Sequence, residues 1–354
     1  MKKAISLALV LILIFTLTSC GGNVPATSEE PSAGISPEPS AAPAVSEVPV
    51  ETEAVRYAVS AGFLKGPTGI GASYLMAQSE KGETTLDYTF KVEADPTNMT
   101  SEIIAGNIDI AAVPTNVAAV LFNKTKGNVK IVAINTLGVL SILENGSSIT
   151  SVTDLKGKTI YATGQAANPE YVLNYILRQN GLEPGKDVIV DYMDSGELAT
   201  KMASGMLDIC MLPVPNSTSV LIKNPDVRVA LSLGDAWKEI AGGSELTQGC
   251  VVVRADLPNA DAIIESYLKE YQASIKYMSS AENLDSAAAL AFKYGIVASE
   301  EIAKAAIPNC SLTFIAGATA VKNSISGYFD VMFQADPKSL GGAIPDDTFY
   351  FGNT

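Results

Sequence analysis

Four short stretches carry the polar groups that could hold a ligand: Phe63 with Lys65, Gly66, Thr68 and Gly69; Pro114, Thr115 and Asn116; Thr163, Gly164 and Gln165; and Pro213, Pro215 and Asn216. Their hydroxyls, carboxamides and backbone amides form hydrogen bonds, and Lys65 is the single cation in the set. Such groups bind a small polar molecule. They do not transform one, because no nucleophile stands beside a base. The chain contains no histidine, which removes Ser-His-Asp and Cys-His nucleophile pairs and every imidazole metal site. Cys210, Cys250 and Cys310 are far apart, without the short paired spacing of zinc sites. Cys210 in Leu207-Asp208-Ile209-Cys210-Met211-Leu212 and Cys250 before Val251-Val252-Val253 sit in apolar, strand-like runs, where a thiol serves as a small hydrophobe. Three such thiols allow at most one internal disulfide, whose partners the sequence does not assign. Among metals, only an all-carboxylate calcium site is left open.

Other motif matches fail on their own chemistry. Gly157-Lys158-Thr159 has the end of a phosphate loop, but Val152 stands where the first glycine belongs. Three Asn-x-Ser/Thr triplets, at Asn98, Asn145 and Asn216, are read as chance. The 354 residues carry 24 Lys and Arg against 38 Asp and Glu, a net charge of −14. A chain so acidic, without a basic stripe, is a poor binder of nucleic acid.

The elements that must position the four stretches alternate between strand and helix. Strands are expected at residues 55–61, 88–93, 108–113 and 129–134, with helices at 70–78, 99–105 and 117–123 between them. A second series follows, with strands at 158–162, 187–192 and 207–212 and helices at 169–180 and 197–203. In the 169–180 helix, Asn168 is expected to cap the start, Pro169 to occupy the first position and Gly181 to stop it. This alternation predicts an α/β fold with mainly parallel sheets. The two series match residue by residue: Gly106-Asn107-Ile108-Asp109-Ile110 leads to Pro114-Thr115-Asn116, as Gly205-Met206-Leu207-Asp208-Ile209 leads to Pro213-Val214-Pro215-Asn216. Two similar lobes are expected. Their strand ends and helix starts would face each other across a cleft lined by the four stretches. Good turn and capping residues explain the same stretches without a ligand.

The chain begins with Lys2 and Lys3, an apolar run at residues 4–15, and Leu17-Thr18-Ser19-Cys20 before Gly21-Gly22. This reads as a secretory signal, and residues 1–20 resemble a lipoprotein leader in which Cys20 becomes lipidated. Residues 21–54, rich in Pro, Ala, Ser and Glu, read as an extended stalk. Without the two leader lysines and the six stalk glutamates, the body has 22 basic against 32 acidic residues, near −10.

With Leu140-Ser141-Ile142-Leu143, Asp154-Leu155-Lys156-Gly157-Lys158-Thr159-Ile160, Gly249-Cys250-Val251-Val252-Val253-Arg254 and the helix from Asp261, in that order, the chain resembles the type II periplasmic-binding-protein family. The resemblance is to its nitrate, sulfonate, taurine and thiamine-precursor branch. It implies a monomeric, lipid-anchored receptor outside the cytoplasmic membrane that closes on a small-molecule ligand and passes it to an ABC permease and ATPase, without cofactor or catalysis. The thiamine-related enzymes of this fold use His and a Cys-rich motif, both missing here. The implied lobes are residues 55–148 with 247–354, and 149–246, crossed near 143–150 and 245–249. C-terminal helices at 260–278, 285–294 and 300–306 would pack on lobe one. The ligand stays open between a small anion, a neutral polar solute and a heteroaromatic molecule, for which Phe63, Tyr161 and Tyr192 stand near the rim. Trp237, in Asp235-Ala236-Trp237, offers a further ring, though a lone Trp is more often packing. A membrane-tethered sensor or adhesion module on the same fold is the alternative function.

Overall fold

The computed structural model describes residues 56–352; the leader, Cys20 and the stalk lie outside them. The first series folds as β1 (Ala58–Leu64), α1 (Pro67–Ile70), α2 (Ser73–Glu80), β2 (Asp87–Glu93), α3 (Pro96–Ala105), β3 (Ile110–Pro114), α4 (Thr115–Lys124) and β4 (Val129–Thr136). The second comprises β5 (Leu140–Asn145), β6 (Thr159–Ala162), α5 (Asn168–Gln179), β7 (Ile189–Tyr192), α6 (Ser195–Ala203), β8 (Ile209–Pro213), α7 (Asn216–Lys223), β9 (Val227–Ser232) and α8 (Leu233–Ile240). The chain then forms β10 (Gly249–Arg254), α9 (Ala260–Ser279), α10 (Leu284–Lys293), α11 (Glu300–Ala306), β11 (Leu312–Ala316) and α12 (Ala318–Ala335).

Two sheets result, ordered β11-β4-β10-β3-β1-β2 and β7-β6-β8-β5-β9. In the first, β1 runs parallel to β2 and β3, whereas β10 lies antiparallel between β3 and β4. In the second, β6 runs parallel to β7 and β8, and β5 lies antiparallel between β8 and β9. The sheets thus repeat one pattern. In each, the strand that the chain lays down after crossing from the other lobe runs reversed between two neighbours, and β11 adds a second reversed strand at the edge of the first sheet.

The first crossing is residues 137–139, not 143–150, and the second lobe begins at Leu140 rather than at 149. The reason is pairing: residues 140–145 bond to β8 and β9. The second crossing spans residues 241–248, between α8 and β10. The repeat is visible in the backbone. Gly106 after α3 and Gly205 after α6 both take positive φ, 80° and 72°, as a left-handed helix stop requires.

Alternation distributes the core. On β10, Cys250 and Val252 face a cluster that runs on into the second lobe through Ile160, Leu173 and Trp237. Val251 and Val253 face another, with Phe63, Tyr267 and Tyr271. A strand apolar on both faces is a central strand. β11 and α12 are additions to the expected set. α12 packs on β4 and β11 and also on α5, so it touches both lobes.

Candidate functional site

Four strand ends meet where the lobes face each other. Gly66, at φ 90°, turns the chain from β1 into Pro67 of α1; Pro114 ends β3 and precedes α4; Pro169 lies in the first turn of α5; Pro213 ends β8. Proline suits a helix start because its fixed φ is already helical and its missing N–H would lack a partner there. Two prolines from each lobe therefore border a cleft of about 300 Å³, at the small end of ligand sites. Its polar side chains are Thr68, Asn116, Thr136, Asn168 and Gln248, and its apolar ones include Val117, Val139 and Val214. Among the described residues that line it, none is charged and none is aromatic.

A second tier fixes this lining. Asn135 donates from Nδ2 to the Thr68 carbonyl at 2.9 Å and to the Tyr271 hydroxyl at 2.8 Å, and its Oδ1 accepts from Thr136 at 3.1 Å. Burial raises the Tyr271 phenol above its ordinary pKa, so the network is neutral. Gln248, in the second crossing, donates its amide to the Thr136 carbonyl at 2.9 Å and accepts the Thr115 amide at 3.2 Å. It thereby ties β4, α4 and the crossing together.

The expected residues divide. Thr68, Pro114, Asn116 and Pro213 come together in the cleft. Pro215, after a cis peptide bond, approaches Gly66: a Cβ on that glycine would lie 4.0 Å from the proline ring. Gly69 is a packing glycine, since a Cβ there would stand 2.0 Å from the Leu64 carbonyl oxygen.

The others lie elsewhere in this structure. Phe63 is wholly buried in the first lobe against Phe90 and Tyr271, because it points into the sheet's far face. Lys65 is exposed beside the cleft without lining it. Thr115 is buried beneath Pro114 and Asn116. Thr163, Gly164 and Gln165 stay outside the lining, since Gly164 at φ 79° folds the loop back on Pro169. Asn216 donates to the Ser195 hydroxyl at the start of α6. Tyr161 and Tyr192 are half-buried against the lobe-two core, and Trp237 packs with Tyr175 and Tyr328. The aromatic rim therefore does not form.

Asn168, expected as a helix cap, makes no capping bond; α5 starts from Ala167. Its carboxamide instead bonds Gln248 and Tyr328. Gln248 was not legible as a site residue, since its role depends on where two crossings meet. Cys210, Cys250 and Cys310 are free and buried, and burial pushes Cys210 and Cys310 up to about 12. They are structural. Among the described residues no group of three or more Cys, Asp or Glu is placed to hold a metal ion, and no helix is long and apolar enough to cross a membrane.

Known folds repeat this architecture. An ABC transporter protein from Parabacteroides distasonis superposes with a TM-score of 0.71 at 21% identity, over 84% of this chain and 99% of that one. The periplasmic aliphatic sulphonate binding protein SsuA of Escherichia coli gives 0.61 at 16%, over 85% and 94%. The alkanesulfonate-binding protein SsuA of Xanthomonas axonopodis pv. citri, bound to MOPS, gives 0.52 at 14%, over 83% and 96%. These likenesses establish a two-lobed periplasmic-binding-protein fold. No curated protein sequence matches the chain. The family described as "ABC transporter, phosphonate, periplasmic substrate-binding protein" matches residues 76–298, more than half of the 354 residues. With this fold, a non-catalytic cleft between its lobes and that match, the chain belongs to the phosphonate family of ABC transporter periplasmic substrate-binding proteins.

Proposed function

We propose that the protein captures a small polar solute with an aliphatic body, neutral or singly charged, in the interlobe cleft, holding it by hydrogen bonds without a counter-ion. Alkyl phosphonate and alkanesulfonate monoanions head this class. The observation that carries the reading is the lining: five uncharged hydrogen-bonding side chains set among prolines and valines, with no charged or aromatic residue among the described ones. The starts of α4 and α5 add backbone N–H groups that have no partner within their helices, and such groups bind an anion's oxygens without a cation nearby. The net charge opposes long-range steering of anions. Recognition is therefore local. A heteroaromatic ligand would lack a stacking partner.

As in its family, the receptor serves an ABC permease and ATPase. We propose further that lipid on Cys20 tethers it as a monomer outside the cytoplasmic membrane, with residues 21–54 as spacer; the mass of the N-terminal peptide from membrane-extracted protein tests this.

Titration calorimetry of the full chain with ethylphosphonate, ethanesulfonate and neutral isosteres tests the cleft. Binding by hydrogen bonds alone predicts a dissociation constant that changes less than about twofold between roughly 50 and 500 mM salt, since only ion pairs are strongly screened. A steep loss with salt contradicts binding without a counter-ion. Binding confined to flat aromatic compounds contradicts the aliphatic class.

A further inference from the structure

The junction of the two crossings holds buried polar atoms that the protein itself does not satisfy. Gln248 Nε2, Thr247 Oγ1 and Thr115 Oγ1 are shut off from solvent without a hydrogen-bond partner meeting ordinary geometry, although the Cys250 thiol lies beside Thr115. Thr115 and Gln248 are joined through the backbone. A buried donor or acceptor left unmade is costly, so such a group marks a place completed by something else.

The direction of the missing bond follows from the chain of donors. Tyr328 is buried, and its hydroxyl has no other partner among the described residues; it donates to Asn168 Oδ1 at 3.1 Å. Asn168 then donates from Nδ2 to Gln248 Oε1 at 3.1 Å. The end of Gln248 left over is its Nε2, a donor. Asn168 starts α5 in the second lobe, whereas Gln248 leads into β10 of the first, and both line the cleft.

We propose that Gln248 couples recognition to closure: its Nε2 donates to an acceptor oxygen of the solute, while its Oε1 holds Asn168 of the opposite lobe. The inference rests on the cleft being the solute site. Parting of the lobes breaks the Asn168 bond and opens the sealed Nε2 to an entering solute; closing remakes the bond. The solute therefore carries an acceptor, such as a phosphoryl, sulfonyl or carbonyl oxygen, at the end that meets Gln248.

Three variants of the full chain separate the two halves of that carboxamide. Q248E keeps an oxygen for Asn168 but loses the donor; N168A loses the latch but keeps the donor; Q248A loses both. With ethylphosphonate as probe, N168A should weaken binding about three- to tenfold, the scale of one hydrogen bond. Q248E should weaken it more than about tenfold. Small-angle scattering without probe should show N168A and Q248A expanded relative to wild type and Q248E as compact as wild type. Equal affinity in Q248E and wild type overturns the donor role. Equal scattering radii in N168A and wild type overturn the latch. If wild type binds neither ethylphosphonate, ethanesulfonate nor their neutral isosteres, the proposed solute class and the donor role fail together, and the scattering comparison still decides the latch.

Discussion

Asn116 sets a carboxamide in the cleft whose own hydrogen bond, to the Ser339 carbonyl, is a long 3.5 Å. Its hydrogen-bonding capacity is largely available to a solute. Asn116→Ala should therefore weaken solute binding by about 0.5–1.5 kcal/mol, with the urea midpoint unchanged. Phe63→Ala should do the reverse: truncating this buried ring costs about 3–5 kcal/mol of stability in denaturant unfolding, while the folded variant keeps its affinity for solute. Asp154 accepts from the amide and hydroxyl of Thr150 and from the Ser151 amide. These bonds, the Thr150 amide first, lower its pKa from 3.8 to about 2. A depressed carboxylate stabilises the fold above its unfolded pKa and loses that contribution as pH falls through the folded one. Asp154→Asn should be less stable than wild type near neutral pH, and the difference should close between about pH 4 and pH 2 in urea titrations. At this scale the sequence located turns better than it located side chains. Thr68, Pro114, Asn116 and Pro213 were legible because strand ends face the cleft. Phe63 was not, because the face of β1 it occupies depends on pleat phase, and one residue of phase reverses a side chain.

Elements were legible wherever a period and a stop coincided. α3 was expected from residue 99 but begins at Pro96, where the Asp95 side chain caps it by accepting the Thr97 amide at 2.7 Å; Asp95→Ala should cost about 1 kcal/mol in thermal unfolding. The first crossing was misplaced because residues 137–143 carry no polar side chain except Ser141, so composition shows no break between β4 and β5. Packing does show one: a Cβ at Gly138 would lie 2.8 Å from Gly234 Cα, and backbone cannot yield there cheaply. Gly138→Ala should cost about 1–3 kcal/mol and pry α8 from the crossing, with a larger scattering radius as the check. α12 does carry a helical period, with Val321, Ile325, Tyr328, Phe329 and Met332 buried. Ser324, Ser326 and Gly327 interrupt it with weak helix formers, and its bridging position on both lobes was invisible to periodicity.

At the scale of the molecule, the duplicated order of strands makes two lobes, and the two crossings with α12 hold them together. Duplication was readable from Gly106 to Asn116 against Gly205 to Asn216. Which residues of opposite lobes touch was not, since that depends on the angle between lobes. Because no titratable side chain lines the cleft among the described residues, affinity for a sulfonate should stay flat between about pH 5.5 and 8.5. Solute capture through this cleft is open to one decisive measurement, the melting temperature of the full chain, refolded to strip any carried ligand, against alkyl phosphonates, alkanesulfonates, nitrate, amino acids, purines, pyrimidines and flavins. A ligand at about 100 times its dissociation constant adds roughly 2.7 kcal/mol. Capture through this cleft gives a clear upward shift with an aliphatic phosphonate or sulfonate, reduced in Asn116→Ala. A shift confined to purines, pyrimidines or flavins, one unaltered by Asn116→Ala, or no shift across the panel would contradict it.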